Sequence, residues 1–120
     1  MERIYFVEHH GKTILIQDFS NVKSTVEFIE LLVESENMVA TQPEGSVLAL
    51  FDATNTRYSS ESLSYLKESV KKSDAYMKAS SVVGITGMLV YALNSVSKIV
   101  NRKYKLAKTR EEAMDWLITQ

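Results

Sequence analysis

The feature that most constrains the fold of this chain is a regular alternation of strand-like and helix-like apolar patterns. Short runs of β-branched, aromatic or continuous apolar residues predict strands, because such side chains suit a pleated, covered surface. These runs occupy residues 4–8, 12–19, 47–51, 78–85 and 103–107. Apolar residues at helical spacing predict a helix after every strand except the first. The predicted element order is therefore β-β-α-β-α-β-α-β-α.

The first two strands are predicted to form a hairpin, because Gly11 readily adopts the positive φ of the tight turn between them. The first helix is expected to begin at a cap on Ser20 or Asn21 and to end near residue 40. Its expected buried stripe is Val22, Val26, Ile29 and Val33.

The remaining helices have their own start signals. Ser59 or Ser60 is expected to cap the second helix. The third is expected to run from residue 88 to about residue 100. Thr109 and Glu112 have capping-box spacing before the fourth, which predicts that Thr109 caps it and Glu112 reaches back.

This order of elements predicts an α/β fold with a mixed five-stranded sheet and four helices. A helix between two strands returns the chain to the same end of the sheet, so those strands run parallel, and the first hairpin strand remains an antiparallel edge. Ligands of such sheets gather outside the carboxyl ends of the strands.

Polar residues concentrate in the loops at that carboxyl edge. Hydroxyls and a guanidinium near a helix start favour an anion such as a phosphate or a nucleotide, and glycine permits close backbone approach. The candidate binding residues are Asp52, Thr54, Asn55, Arg57, Ser60, Ser62, Thr86 and Gly87. The alternative is that Asp18, Asp52 and Thr86 only satisfy loop amides and cap helices.

Composition excludes cysteine chemistry, and the charge pattern shows one basic segment. No Cys is present, so thiolate catalysis and disulfides are excluded. A net charge of −1 gives no reason to expect nucleic-acid binding. Positive charge nevertheless accumulates between residues 98 and 110, which predicts either a solvated face or a partner or lipid patch. The patch candidates are Lys98, Arg102, Lys103 and Lys105.

The two histidines, His9 and His10, fall at the predicted hairpin turn. Adjacent strand residues point to opposite faces, so the pair is not expected to chelate one ion. The turn also lies at the edge opposite the candidate loops, where a general base would not reach them. The sequence therefore predicts no metal, no cofactor and no catalytic histidine.

The third helix is apolar on most sides, so it is either sandwiched within the domain or offers a homodimer or partner face. Its stripe is Leu89, Leu93, Val96 and Val100. No run is long enough to span a membrane, and the N-terminus lacks a signal-peptide pattern. The expectation is a cytoplasmic chain, with peripheral membrane contact left open.

Two stretches, residues 52–62 and 102–117, together with the element order, resemble the SpoIIAA-like group of the STAS superfamily, small bacterial STAS/SEC14-like proteins. The resemblance covers nearly the whole chain. It implies a single SpoIIAA-like domain over residues 1–120, folded as a β-α superhelix with one antiparallel edge strand.

Anti-sigma-factor antagonists of this superfamily carry a D-L-S-x-V-x-F-x-D-S-S-G pattern whose second motif serine is phosphorylated by a partner kinase. On this chain Asp52 matches the first Asp, Thr54 the Ser, Tyr58 the Phe and Ser62 the switch serine. Around the switch position the pattern departs at Ser60, Glu61 and Leu63. The resemblance thus makes Ser62 a phosphorylation candidate.

The resemblance implies a non-enzymatic regulatory or binding module that acts through a protein partner. One alternative is a SEC14-like lipid or membrane-surface binder that uses the third helix and the basic patch. Another is phosphoryl transfer at Asp52, because residues 51–56 resemble a phosphotransferase loop. A third alternative is a receiver-like domain, because a set of strand-end residues resembles a response-regulator receiver site. These residues are Asp18, Asp52, Thr86 and Lys105 or Lys108.

Overall fold

The structure is a computed structural model, and it describes residues 2–85, 88–97 and 102–120. The strands are β1 (Ile4–His9), β2 (Lys12–Asp18), β3 (Val47–Asp52), β4 (Met77–Val83) and β5 (Lys103–Ala107). The helices are α1 (Thr25–Val39), α2 (Ser60–Ser73), α3 (Met88–Ser97) and α4 (Arg110–Leu117), and a 3-10 turn, Asp74–Tyr76, precedes β4.

The strands form one sheet in the order β1-β2-β3-β4-β5. The β1–β2 pair is antiparallel, and β2–β3, β3–β4 and β4–β5 are parallel. A helix connects each parallel pair, as a parallel connection requires. The predicted mixed five-stranded sheet with four helices is confirmed.

Helices cover both faces of the sheet. On one face α1 and α2 pack over Leu15, Ala49 and Phe51, together with Phe28 and Leu66. On the other face α4 packs over the sheet core, and its buried residues there are Ala113 and Leu117. All six residues of β3 are buried, which explains its continuous apolar sequence. No helix in the described part of the chain is long and apolar enough to cross a membrane.

The first helix begins later than its sequence pattern predicts. Ser24, not Ser20 or Asn21, is the cap, and its side chain accepts a hydrogen bond from the Glu27 amide at 3.3 Å. Val26 is 66% exposed and Val33 is also exposed, so the predicted helical stripe is wrong, although Val22 is buried ahead of the helix. The buried positions of α1 are Phe28, Leu31, Leu32, Ser35 and Val39. The delay arises because Asn21 has a left-handed φ of 61° and the chain first runs beside the loop after β3.

The other start signals are confirmed. Ser59 caps α2 and forms a reciprocal capping box with Ser62. Thr109 caps α4 and accepts a hydrogen bond from the Glu112 amide at 3.1 Å. The Glu112 carboxylate reaches back one residue beyond the cap, where it accepts from the Lys108 amide at 3.1 Å.

Candidate functional site at the carboxyl edge of the sheet

The loops that follow β2 and β3 are joined directly by hydrogen bonds. The Asn21 amide donates to the Thr54 carbonyl at 2.9 Å, and the Asn55 side-chain amide donates to the Asn21 side-chain oxygen at 2.7 Å. Asn21 and Asn55 both adopt left-handed φ angles, 61° and 55°. Asn tolerates this region better than most residues, which accounts for its presence at both positions.

Further hydrogen bonds extend this connection along both loops. The Arg57 amide donates to the Val22 carbonyl at 2.8 Å, and the Thr56 hydroxyl donates to the Phe19 carbonyl at 2.6 Å. Lys23 donates to the Asn55 carbonyl at 2.6 Å. The two loops therefore form one hydrogen-bonded unit, which we call the paired loops (residues 19–25 and 53–59).

Close backbone packing against Gly84 supports the paired loops from the end of β4. A Cβ atom at Gly84 would lie 2.7 Å from both the Cα and the backbone nitrogen of Thr54, nearer than real contacts allow. Gly84 also has a φ of +78°, a region that L side chains rarely adopt. Glycine is therefore required here on both steric and conformational grounds.

Asp18 ends β2 and is held by hydrogen bonds and by two arginines. Its Oδ1 accepts from the Ser20 amide at 3.0 Å and lies 3.2 Å from an Arg110 nitrogen and 3.8 Å from an Arg3 nitrogen. Burial opposes ionisation of this carboxyl, but the hydrogen bonds from Ser20 and the charges of Arg110 and Arg3 outweigh it and hold the pKa of Asp18 below its usual range.

Asp52 ends β3 and uses both carboxylate oxygens. Oδ1 accepts from the Thr54 amide at 2.9 Å, and Oδ2 accepts from Arg110 Nε at 2.8 Å. Burial lowers the pKa of Arg110, but its hydrogen bonds to Asp52 and Tyr5 and the charges of Asp52 and Asp18 outweigh burial and raise it overall. One guanidinium thus forms ion pairs with two carboxylates at neighbouring strand ends, and Arg3 adds a second positive charge near Asp18.

The candidate residues divide into an occupied inner set and an exposed outer set. Asp52 and Ser62 are buried, whereas Thr54, Asn55, Arg57 and Ser60 are exposed on or beside the paired loops. Thr86 and Gly87 lie outside the described residues. Exposed polar side chains on a fixed backbone are suited to contact a partner, whereas both oxygens of Asp52 and the Oδ1 atom of Asp18 accept hydrogen bonds within the fold.

Ser62, the phosphorylation candidate, is 0% exposed. Its hydroxyl accepts from the Ser59 amide at 2.7 Å, and its own amide donates to the Ser59 hydroxyl at 3.1 Å. Because the hydroxyl completes the capping box, a kinase can reach it only if the first turn of α2 opens. Phosphorylation of Ser62 stays a prediction.

Arg102, a predicted member of the basic patch, has a buried side chain. The Arg102 side chain is only 8% exposed and donates to Asp74 at 3.1 Å, to the Ser80 hydroxyl at 3.2 Å and to the Val70 carbonyl at 2.6 Å. Burial lowers the pKa of Arg102 despite the opposing effect of Asp74. The prediction that Arg102 belongs to a surface patch is wrong, because its charge is used inside the fold.

The other patch residues are placed differently. Lys103 is exposed on β5, Lys105 lies 4.0 Å from Glu112, and Lys98 is outside the described residues. In α3 Tyr91 is 80% exposed and Leu93 packs against the core. The side chains of Leu89 and Val96, and residue Val100, are outside the description, so a homodimer through α3 stays a prediction.

A cavity of about 80 Å³ lies between the sheet and the helices on the α1–α2 face, a feature that no sequence motif signals. Leu32, Phe51 and Leu66 line it, together with the Arg102 guanidinium and several serines. A dry protein cavity of about 150 Å³ accepts benzene. This cavity is smaller, and an acyl chain would enter only if the surrounding helices moved.

The histidine prediction needs one correction. His9 ends β1, but His10 lies in the turn with a φ of 48°, so the two rings do not point to opposite faces of a strand. Their centroids are 4.4 Å apart. The hairpin register confirms that the two histidines lie at the amino end of β2, away from the paired loops.

Comparison with known proteins gives a match of fold. The chain is similar to a crystal structure of an uncharacterized protein from the DUF3478 family with a SpoIIAA-like fold, from Shewanella loihica PV-4. The TM-score is 0.73 with 16% sequence identity, and the match covers 95% of this chain and 91% of that chain. No protein-family model and no curated protein matches the sequence. The SpoIIAA-like fold expected from the resemblance is confirmed.

Proposed function

We propose that this chain with a SpoIIAA-like fold is a non-enzymatic regulatory module that binds a protein partner through the paired loops and the first turn of α2. The observation that carries the proposal is the pairing of both strand-end carboxylates, Asp18 and Asp52, with Arg110. The edge therefore presents hydrogen-bonding side chains on a fixed backbone, and both of its acids are held in ion pairs within the fold.

The exposed side chains that the partner would contact are arranged around Arg57. This residue is exposed, and its backbone amide is fixed by the Val22 carbonyl at 2.8 Å. Thr54 and Asn55 lie on the same loop, and Ser60 begins α2. A guanidinium held on a rigid loop suits an acidic or carbonyl-rich surface, because Arg donates several hydrogen bonds in a fixed geometry. The same donors would take a small anion, which stays a prediction.

The arrangement of Asp52 weighs against phosphoryl transfer. An attacking carboxylate needs a free oxygen, and receiver-type chemistry also needs acidic metal ligands beside it. In this chain one Asp52 oxygen accepts from Thr54 and the other from Arg110, and Arg110 also pairs with Asp18. The buried position of Arg102 and the small cavity likewise favour a protein partner over a lipid.

Affinity capture from native lysate with a charge-reversal variant tests the proposal. Arg57→Glu changes the proposed surface, and Lys78→Glu makes the same charge change at an exposed position near the amino end of β4. We expect the wild type and Lys78→Glu to recover the same protein, and Arg57→Glu to recover at least about tenfold less, as loss of a hot-spot arginine does. Equal recovery by all three would contradict the proposed surface.

Flotation with anionic liposomes at low and high salt addresses the lipid alternative. The proposal predicts that the chain stays with the soluble fraction at both salt concentrations. Salt-sensitive flotation that is lost in a Lys103→Glu variant would instead support a membrane-surface function, because screening weakens attraction between surface charges.

A further inference from the structure

The hairpin turn and the last turns of α4 bring together three side chains that are able to ligate a metal. His9 ends β1, His10 follows in the turn, and Asp115 lies on α4. His9 Nε2 lies 2.8 Å from Asp115 Oδ1. One ligand atom from each of the three residues lies within 4.8 Å of the other two. This cluster is at the edge of the sheet opposite the paired loops, so it is independent of the proposed partner surface.

We propose that His9, His10 and Asp115 bind a divalent transition-metal ion, with Zn²⁺ as the leading candidate. Two imidazole nitrogens and one carboxylate oxygen form a ligand set that suits Zn²⁺, Ni²⁺ or Cu²⁺ and does not suit Mg²⁺ or Ca²⁺, which prefer oxygen. At Zn–ligand distances of about 2.0–2.2 Å, ligand atoms at tetrahedral angles are about 3.3–3.6 Å apart. The cluster therefore closes on an ion after side-chain rotations that bring its most distant ligand atoms about 1 Å nearer, and His10 and Asp115 are exposed and have room to rotate.

The hairpin geometry makes the site, because the positive φ of His10 places its ring beside that of His9. The β1–β2 register pairs His9 with Lys12 and leaves His10 and Gly11 as a two-residue loop, with φ angles of 48° and 82°. Two successive positive φ angles are the signature of a type I′ turn. In an extended strand the two imidazoles would diverge and could not share one ion.

A second contact holds α4 against the hairpin. Lys12 Nζ donates to the Ile118 carbonyl at 2.7 Å, so the end of α4 is attached to β2 next to the turn. The relative position of His9 and Asp115 is thus supported by a bond that does not involve either residue. Three protein ligands leave a fourth tetrahedral position for water or an external group. His10 and Asp115 are exposed, so an ion has direct access.

Calorimetric titration of tag-free protein with ZnCl₂ tests the site. We expect one Zn²⁺ per chain and no detectable heat with MgCl₂. His9→Ala, His10→Asn and Asp115→Asn should each weaken Zn²⁺ binding by at least about tenfold. Asn is favoured at the first position of a type I′ turn, so His10→Asn removes the imidazole while it preserves the hairpin. The matched control Glu111→Gln, an exposed carboxylate at the other end of α4, should bind Zn²⁺ as the wild type does.

Imidazole NMR gives a second readout, because the chain has only two histidines and both belong to the cluster. Saturating Zn²⁺ should shift the ring resonances of both histidines, and His10→Asn should remove the response of His9 at the same Zn²⁺ concentration. The proposal is overturned if His10→Asn binds Zn²⁺ with unchanged affinity, if only one ring responds in the wild type, or if no Zn²⁺ binds.

Discussion

Arg110 Nε donates to Asp52 Oδ2 at 2.8 Å, and this bond fastens the first turn of α4 to the carboxyl end of β3. The two residues are 58 positions apart in the chain. The same guanidinium reaches Asp18 at the end of β2. One side chain on the α4 face thus contacts both acids under the paired loops.

Arg110→Met should destabilise the fold by about 1–3 kcal/mol, because it leaves the buried Asp52 carboxylate without its charged donor. Arg110 is partly exposed, which keeps the expected loss below that of a fully buried pair. Urea denaturation measures the change. Lys108→Met, an exposed position in the same basic run, should change stability by less than about 0.5 kcal/mol. Equal effects of the two substitutions would show that the Arg110 pairing does not matter for the fold.

The low pKa of Asp18 predicts a specific loss of stability in acid. A carboxyl whose pKa is depressed by folding contributes stability that is fully present above its unfolded pKa of about 3.9 and lost as the pH falls through the folded value. The stability advantage of the wild type over Asp18→Asn should therefore be constant above about pH 5 and shrink below about pH 4. Urea denaturation across pH measures it. A difference that grows toward low pH would contradict the assigned direction.

Gly84→Ala should destabilise the protein more than Gly45→Ala does. Both glycines have left-handed φ angles, +78° and +68°, so both substitutions incur the backbone strain of about 1 kcal/mol. Only at Gly84 does the new Cβ also clash with the backbone of Thr54, whereas nothing lies within 4 Å at Gly45. Thermal unfolding of the pair measures the contribution of packing beneath the paired loops. A smaller effect at Gly84 would refute the tight contact.

Ser62→Ala should reduce stability by about 0.5–2 kcal/mol, because it removes the hydroxyl that accepts from the Ser59 amide. Ser60→Ala is the control, since Ser60 is exposed in the first turn of the same helix. Chemical denaturation measures the free energy of unfolding of both variants, and we expect the larger loss for Ser62→Ala. A neutral Ser62→Ala substitution would contradict the stabilising role assigned to the capping box.

Local signals in the sequence predicted much of the framework. The caps at Ser59 and Thr109 and the bounds of β5 were recognisable because each depends on a few neighbouring residues. The buried β3 was recognisable from its continuous apolar run. The start of α1 was not, since the delay depends on a bond between Asn21 and Thr54 across two loops.

The position of the candidate loops was predictable, but the ion pairs beneath them were not. The carboxyl edge follows from the order of elements, and the exposed Arg57 and Asn55 were identified there. The roles of Arg110 and Arg102 depend on acids 58 and 28 positions away in the chain, which no local pattern links to them. The prediction that His9 and His10 point to opposite faces likewise failed. It assumed that both residues lie in a strand, whereas His10 has the positive φ of a turn.

Site-specific photo-crosslinking in the native host tests the central claim most directly. A photoreactive amino acid at position 57 lies on the paired loops, and the same group at position 78 lies at an exposed site near the opposite edge. We predict a discrete crosslinked protein adduct from position 57 and none from position 78. An adduct from position 78 without one from position 57 would contradict the claim that the paired loops are the partner-binding surface.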